Sequence, residues 1–371
     1  MGDPHGVGII GLGAISGQYL QTFSACPGIR IAAVADLNAA RAAEVAEATG
    51  AAALTVDELV AHPEVDTVLN LTIPAAHAEI ALKAIAAGKH VYGEKPLAAA
   101  FEDAQRVVAA GDAAGVRVGC APDTVLGTGV QTARDAIDKG EIGVPTFATA
   151  TMIARGHEVW HPNPDFYYTE GGGPLLDMGP YYVTSLVHLL GPVVSVTGAS
   201  SRSRDQRVIG SGPRAGEQVP VSIDTHVTGI LHHASGALST LVMSFDGYAT
   251  TAPNIEVHGT EGTVGVPDPN HFAGEVTLDR HDRDRGVLAA SAGYAESGRG
   301  VGLIDMARAQ ADRAPRADAA LALHVLEVMT GLLRSAETGG RLDMQTTVER
   351  PALVPFTAHE DWTAPTAPPK P

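Results

Sequence analysis

Short apolar runs alternate with segments of helical period through the first third of the chain. Val7-Gly8-Ile9-Ile10 is strand-like, and a helical pattern opens at Gly11-Leu12-Gly13-Ala14-Ile15-Ser16 and runs to about Ala25. Ile29 to Ala35 is a second apolar run, ending in Asp36. A helix to Thr49, a helical stretch around Val56 to Ala61 and a strand from Val65 to Leu71 come next. Thr72-Ile73-Pro74 ends that strand, with His77 in the first turn of the following helix. A short run, His90-Val91, leads into Tyr92-Gly93-Glu94-Lys95-Pro96, then a helix over 101–114 and a last parallel strand over 116–121. Strands alternating with helices in this way predict an α/β, doubly wound parallel sheet.

After Asp123 the pattern changes. One helix is expected over 127–139, ended by Gly140, followed by β-type runs near 145–154, 193–200, 222–232, 236–246 and 254–266. Ser235-Gly236 and Thr260-Glu261-Gly262 suggest hairpins. This half reads as an α/β unit with an open, largely antiparallel sheet and helices on one face. Residues 280–315, polar and Gly-rich, read as a long loop, and 316–338 as an amphipathic helix closed by Gly339-Gly340. The Pro-rich tail from Ala364 reads as irregular.

Composition narrows the function classes. The 371 residues suffice for two domains with separate cores. Hydrophobic residues make 45% and charged residues 18%, the balance of a globular protein. Lys plus Arg is 25 against 42 for Asp plus Glu, a formal charge of −17, which argues against nucleic-acid or anionic-membrane partners. Cys26 and Cys120 sit in apolar segments and read as reduced core thiols. No run of about 18 apolar residues and no signal-peptide pattern is evident, so the expected location is cytoplasmic.

The first chemical signal is Gly11-x-Gly13 between a strand and a helix. Glycines there allow a tight turn and close approach of backbone to a pyrophosphate seated on the helix N-terminus. Ser16 replaces the usual third glycine and is small enough for helix and strand to pack. Asp36, at the end of the next strand, can accept hydrogen bonds from ribose hydroxyls and would repel a 2′-phosphate. No arginine follows at once, Arg41 being nearly a turn further, so NAD is favoured over NADP. Asp36 as a simple helix cap is the plainer alternative. The expected division is 1–123 for an NAD-binding domain, 124–363 for a second domain, and a 364–371 tail. The 316–338 helix is able to pack back between the two domains.

Lys95 is placed at a strand end, where open α/β sheets keep their ligands. Pro96 restricts it to an extended backbone and is a candidate for a cis bond. In the second half, Gly171-Gly172-Gly173 leads to Asp177, expected just before a helix with Pro180 in its first turn. Tyr181, Thr184, Ser185 and His188 share one face of that helix, opposite Val183, Leu186, Val187 and Leu190. His157-Glu158-Val159-Trp160-His161 spells the zinc-protease signature, which needs its histidines one turn apart on a helix. Gly156 before it and Pro162-Asn163-Pro164 after it oppose a sustained helix, so no metal is expected. The stretch reads instead as a substrate-facing loop, with Trp160 and His161 nearest the substrate and Asn163, Asp165 and Phe166-Tyr167-Tyr168 behind them.

Together these residues resemble the glucose-fructose oxidoreductase, inositol dehydrogenase and rhizopine-catabolism (Gfo/Idh/MocA) family. The resemblance rests on Gly11-x-Gly13, Asp36, Thr72-x-Pro74 with His77, Glu94-Lys95-Pro96, Gly171-Gly172-Gly173 with Asp177, and Gly259-Thr260-Glu261-Gly262-Thr263, which cover nearly the whole chain. It implies a Rossmann domain, a second α/β domain, here 124–363, for substrate and oligomerisation that often forms the oligomer interface, and oxidation or reduction of one carbon of a sugar, polyol or cyclic alcohol. It implies cofactor contacts from Gly11, Gly13, Ala14, Ile15, Asp36, Thr72, Ile73, Pro74, His77, Glu94 and Lys95. Substrate contacts are expected from Asp123, Trp160, His161, Asp177 and Tyr181. The family's usual histidine four residues after the aspartate is Tyr181 here, its later aspartate is Thr184, and Pro122-Asp123-Thr124 stands where many members have Asn-Arg. The expected protein is an NAD-dependent dehydrogenase acting on CH–OH groups in carbohydrate metabolism, with Lys95, Asp177 and Tyr181 catalytic. Tyr181 carries the proton, helped by the Lys95 charge because a phenol's ordinary pKa is about 10. A small sugar or polyol is the expected partner and a homodimer or homotetramer the expected assembly. The alternative is a non-catalytic dinucleotide-binding sensor of sugar metabolism.

Overall fold

The computed structural model describes residues 3–309 and 315–365, the side chain of Arg283 excepted. The chain divides into two compact units. The first comprises 1–127, 292–323 and 354–371; the second comprises 128–291 and 324–353. The single junction near residue 123 expected from sequence is thus replaced by a division in which two later segments join the first unit. The outermost tail, 366–371, falls outside the described residues.

In the first unit, six parallel strands lie in the order β3-β2-β1-β4-β5-β6. They are β1 (His5–Ile10), β2 (Ile29–Ala35), β3 (Ala52–Ala53), β4 (Thr67–Asn70), β5 (His90–Gly93) and β6 (Val118–Cys120). Helices α1 (Ser16–Ser24), α2 (Ala39–Thr49), α3 (Val56–Ala61), α4 (Pro74–Ala86) and α5 (Phe101–Ala114) connect them. Val7, Ile9, Ala33, Val34, Val68 and Leu69 are fully buried, which is why these strands read as unbroken apolar runs rather than alternating ones. Each of the larger aliphatic side chains contributes about 1.5–3 kcal/mol by leaving water.

The second unit begins with α6 (Thr128–Asp138) and carries a nine-stranded sheet ordered β16-β15-β14-β13-β7-β12-β11-β8-β17. Its members are β7 (Pro145–Ile153), β8 (Val193–Ser201), β11 (His226–His233), β12 (Leu238–Ser244), β13 (Ile255–Gly259), β14 (Gly262–Val266), β15 (Val276–Arg280), β16 (Arg283–Leu288) and β17 (Leu342–Asp343). β7 and β12 pair in parallel, and the other described pairs of this sheet are antiparallel. A short ribbon, β9 (Gln206–Val208) with β10 (Gln218–Pro220), stands apart. Helix α7 (Gly173–Leu190) packs on β7, β11 and β12.

Two expectations need correction here. The supposed loop over 280–315 contains β16 and helix α8 (Val301–Arg308), with 310–314 outside the described residues. The β15–β16 hairpin was hidden because its strands are charged and exposed on one side, where polar alternation looks like loop. The long helix α9 begins at Ala319 rather than 316 and ends at Thr338, with Gly339 at φ 72° stopping it. Its length and hydropathy are sufficient to cross a membrane, yet Val325, Leu326, Val328, Met329 and Leu332 are core residues of the fold. On the polar face of α7, Thr184, Ser185 and His188 are buried, with Gln131 of α6 beside His188 at 3.4 Å. Helix α10 (His359–Thr363) closes the described chain.

Candidate functional site

The first unit gathers its candidate residues at the carboxyl ends of β1, β2, β4 and β5. Gly11 leaves β1 at φ 92°, and a Cβ there would lie 2.8 Å from the Leu71 carbonyl, so no other residue fits. A Cβ on Gly13 would meet nothing within 4 Å, which leaves room for a ligand against the backbone. Ser16 is buried, its Oγ donating to the Gly13 carbonyl at 2.8 Å. No side chain caps the start of α1 after Ala14 and Ile15; the Ser16 and Gln18 N–H groups instead close tight turns onto the Gly13 and Ile15 carbonyls at 3.1 Å each. These features fit the pyrophosphate of a dinucleotide.

Asp36 overlooks this turn. Its Oδ2 accepts the Leu12 N–H at 2.6 Å and its Oδ1 the Asn38 N–H at 2.7 Å. Asn38, not Asp36, caps α2, accepting from Ala40 and Arg41. Each carboxylate oxygen keeps a second lone pair for a ribose hydroxyl. Arg41 is engaged elsewhere: its Nε donates to the Leu12 carbonyl at 3.3 Å and it pairs with Glu44 at 2.8 Å.

The β4 and β5 exits are tied together. Thr72 Oγ1 donates to Asn70 at 2.6 Å, Ile73 is exposed, and Pro74 opens α4. His77 is buried, with Nδ1 at 2.6 Å from the Pro96 carbonyl and Nε2 at 3.0 Å from the Thr72 carbonyl. Both ring nitrogens face backbone carbonyls, of which a neutral imidazole donates to one, and His77 thereby links the two loops. Glu94 is likewise anchored, accepting from the buried Tyr19 hydroxyl at 2.8 Å and from the Lys95 N–H at 3.0 Å. The Lys95–Pro96 bond is cis.

Asp123, expected at the substrate, is fully buried. Its Oδ2 accepts the N–H groups of Gly300 and Gly302 at 2.7 and 3.1 Å, tying β6 to the start of α8. Burial raises its pKa to about 6, against the opposing pull of Arg299 and those two N–H donors. It is a structural residue. Burial also lifts the Cys120 thiol well above its usual range, consistent with an inert core cysteine.

In the second unit α7 starts at Gly173, so Asp177 lies inside its second turn and does not cap it. Pro174 takes the first-turn place expected of Pro180, which sits mid-helix. Asp177 and Tyr181 are one turn apart and share a face. The Asp177 Oδ2 meets His157 Nε2 at 2.8 Å. His157 opens a single 3-10 turn, His157–Val159, after β7. Its ring packs against Tyr167, Phe245 and Trp160 at centroid distances of 4.2, 4.6 and 5.2 Å. Trp160 is 59% exposed, and His161 Nδ1 accepts the Asn163 N–H at 3.1 Å. Glu158 turns the other way into the core, against Arg207 at 2.8 Å and the Tyr168 hydroxyl. Glu158 thus leaves the zinc-like signature and His157 Nε2 is taken by Asp177, and no cluster of His, Cys, Asp or Glu suited to a metal exists among the described residues. His157, visible in the sequence only as half of that signature, is the site residue that its spacing concealed.

Two family models match the chain: the oxidoreductase-family NAD-binding Rossmann fold over residues 5–121 and the GFO/IDH/MocA C-terminal domain over 130–265. The chain belongs to the GFO/IDH/MocA oxidoreductase family. A 1,5-anhydro-D-fructose reductase from Ensifer adhaerens is 31% identical over 69% of this chain and 74% of its own length. A myo-inositol 2-dehydrogenase from Thermotoga maritima is 26% identical over 75% of this chain and 79% of its own. Among solved structures, an NAD-binding oxidoreductase from Klebsiella pneumoniae has a TM-score of 0.80 and 26% identity, covering 92% of this chain and 98% of that one. The protein is an oxidoreductase whose NAD-binding domain is the first unit's parallel sheet, as the glycine turn and Asp36 indicated.

Proposed function

We propose that this oxidoreductase acts on a secondary hydroxyl of a sugar, cyclitol or related polyol, with Lys95, Asp177 and Tyr181 as its working side chains. The observation that carries the reading is the His157–Asp177 pair, which fixes a carboxylate one helical turn from a tyrosine. When bound, NAD supplies the acceptor or donor of hydride. Tyr181 takes or returns the hydroxyl proton at its Oη. Lys95 contributes the positive charge that stabilises a phenolate near neutrality. Asp177, held by His157, orients a substrate hydroxyl, and the exposed indole of Trp160 offers an apolar face to the sugar ring. NAD is preferred to NADP because Asp36 repels a 2′-phosphate and Arg41 is already engaged.

The assembly is proposed to be a homodimer or homotetramer. Phe147, Ile230 and Leu238 lie exposed on neighbouring strands of the large sheet, which supports association through that face. Sedimentation at micromolar concentration checks it. The test of the activity is a panel of sugars and cyclitols offered with NAD, read at the reduced-nicotinamide absorbance. Turnover of at least one member is expected; tight NAD binding with no turnover across the panel would overturn the reading.

A further inference from the structure

Beside the His157–Asp177 pair the second unit contains a cavity of about 240 Å³ lined by three arginines, Arg155, Arg204 and Arg207. Arg207 is buried at its base, donating to Glu158 at 2.8 Å and also pairing with Asp246. Both acids are further engaged: Glu158 by the Tyr168 hydroxyl, Asp246 by Thr225 and Ser203 at 2.7 Å each. The Arg207 Nε–H is buried and has no hydrogen-bond partner. At the mouth, Arg155 lies over the Tyr248 ring at 5.1 Å, and Arg204 sits at the Tyr248 hydroxyl, drawing its pKa down. Neither Arg155 nor Arg204 has a carboxylate partner among the described residues. Three guanidinium groups therefore face two carboxylates that the buried one already engages. In a chain of formal charge −17, two such arginines flanking a phenol form an unusual local cationic mouth.

The position is as informative as the charge. Phe245 lines the cavity and packs at 4.6 Å on the imidazole that holds Asp177. Two packed rings, Phe245 and the His157 imidazole, thus link the wall of the cavity to the carboxylate proposed to orient the substrate. Guanidinium forks match the paired oxygens of carboxylates and phosphates, and the phenol adds a donor. We infer that this cavity is an oxyanion subsite, and that the substrate is a sugar or polyol bearing a carboxylate or phosphate away from the reacting carbon. The inference rests on the reading of Asp177 as a substrate-side residue.

The test compares glucuronate, glucose 6-phosphate and glucose as probes, by calorimetry on the full chain with NAD present and by NAD-linked turnover. An anionic probe is expected to bind at least about tenfold more tightly than glucose and to lose that advantage in Arg155→Gln/Arg204→Gln. Preference for one of the two anionic probes assigns carboxylate or phosphate; equal preference assigns recognition by charge. Both mutated side chains lie at the surface, so the fold should survive, which thermal melting confirms. No anionic preference, or a preference unchanged in the double variant, overturns the subsite. Turnover of neutral polyols without anion binding would reject the subsite and leave the proposed activity standing. Arginine-dependent anion binding without any turnover would do the reverse.

Discussion

His157 and Asp177, twenty residues apart, meet at 2.8 Å where the β7 exit turn crosses the second turn of α7. The pairing gives the carboxylate a fixed direction and leaves the imidazole packed between Tyr167 and Phe245. His157→Phe keeps the ring packing but removes the partner of a charged group. A loss of about 1.5–3 kcal/mol corresponds to roughly a 10- to 160-fold drop in kcat/KM. Steady-state kinetics at saturating NAD checks this, and an unchanged value would reduce the pair to a structural contact.

Tyr181→Phe removes the only proton that the proposed carrier holds. General acid–base groups contribute typically about 10²- to 10⁴-fold, so kcat should fall within that range while NAD affinity stays near wild type. Unchanged kcat across pH would pass the role to Lys95.

The parallel sheet was legible because its strands are buried on both faces and its turn chemistry is local: Gly11, Gly13 and Asp36 announce themselves within one β–α–β unit. The hairpin flanked by Arg280 and Arg283 was not, since a charged edge strand carries no apolar period. Asp123 misled for a different reason. A carboxylate just past a strand end looks the same in sequence whether it faces a ligand or, as here, the N–H groups of two glycines far along the chain. His157 was visible only as part of a zinc-like pattern, because its partner lies on a helix that local spacing cannot connect to it. Arg155, just after β7, converges with Arg204 and Arg207, just before and within β9, and the three left no signal in sequence order.

Exchanging Asp36→Ser with Leu37→Arg should turn cofactor preference toward NADP. Leu37 is fully exposed beside the Asp36 carboxylate, so an arginine there is free to meet a 2′-phosphate. The ratio of kcat/KM for NADP over NAD should rise by at least about tenfold, roughly 1.4 kcal/mol. A wild-type preference for NADP would show the ribose assignment to be wrong.

Asp123 makes stability depend on pH. Its folded pKa, about 6, lies above the ordinary carboxylate value of 3.8, so the unfolded chain releases this proton more readily. The contribution favouring the fold is fully present below the unfolded pKa and is lost as pH rises through 6. In Asp123→Asn that loss is absent. The stability of the variant relative to wild type should therefore increase by about 2 kcal/mol between roughly pH 4 and pH 7.5, whatever the offset at either end. Denaturant titrations of both proteins at the two pH values measure it, and a flat difference would mean that Asp123 stays ionised throughout.

Trp160 distinguishes a substrate loop from a zinc site and from surface decoration. Its indole is 59% exposed yet packed edge-on against His157, the partner of Asp177, so a sugar lying on it would be held beside that carboxylate. Trp160→Ala should raise substrate KM by roughly 2- to 10-fold, the worth of one aromatic face, and leave NAD affinity near its original value. A zinc site would require His157 and His161 to converge, whereas His157 Nε2 is at Asp177 and His161 Nδ1 accepts from Asn163. Dialysis against EDTA should therefore leave turnover unchanged, and metal analysis of the purified protein should find no stoichiometric zinc. Zinc lost together with activity in His161→Ala would sink the substrate-loop reading, while an unchanged KM in Trp160→Ala would leave the loop without a part in binding.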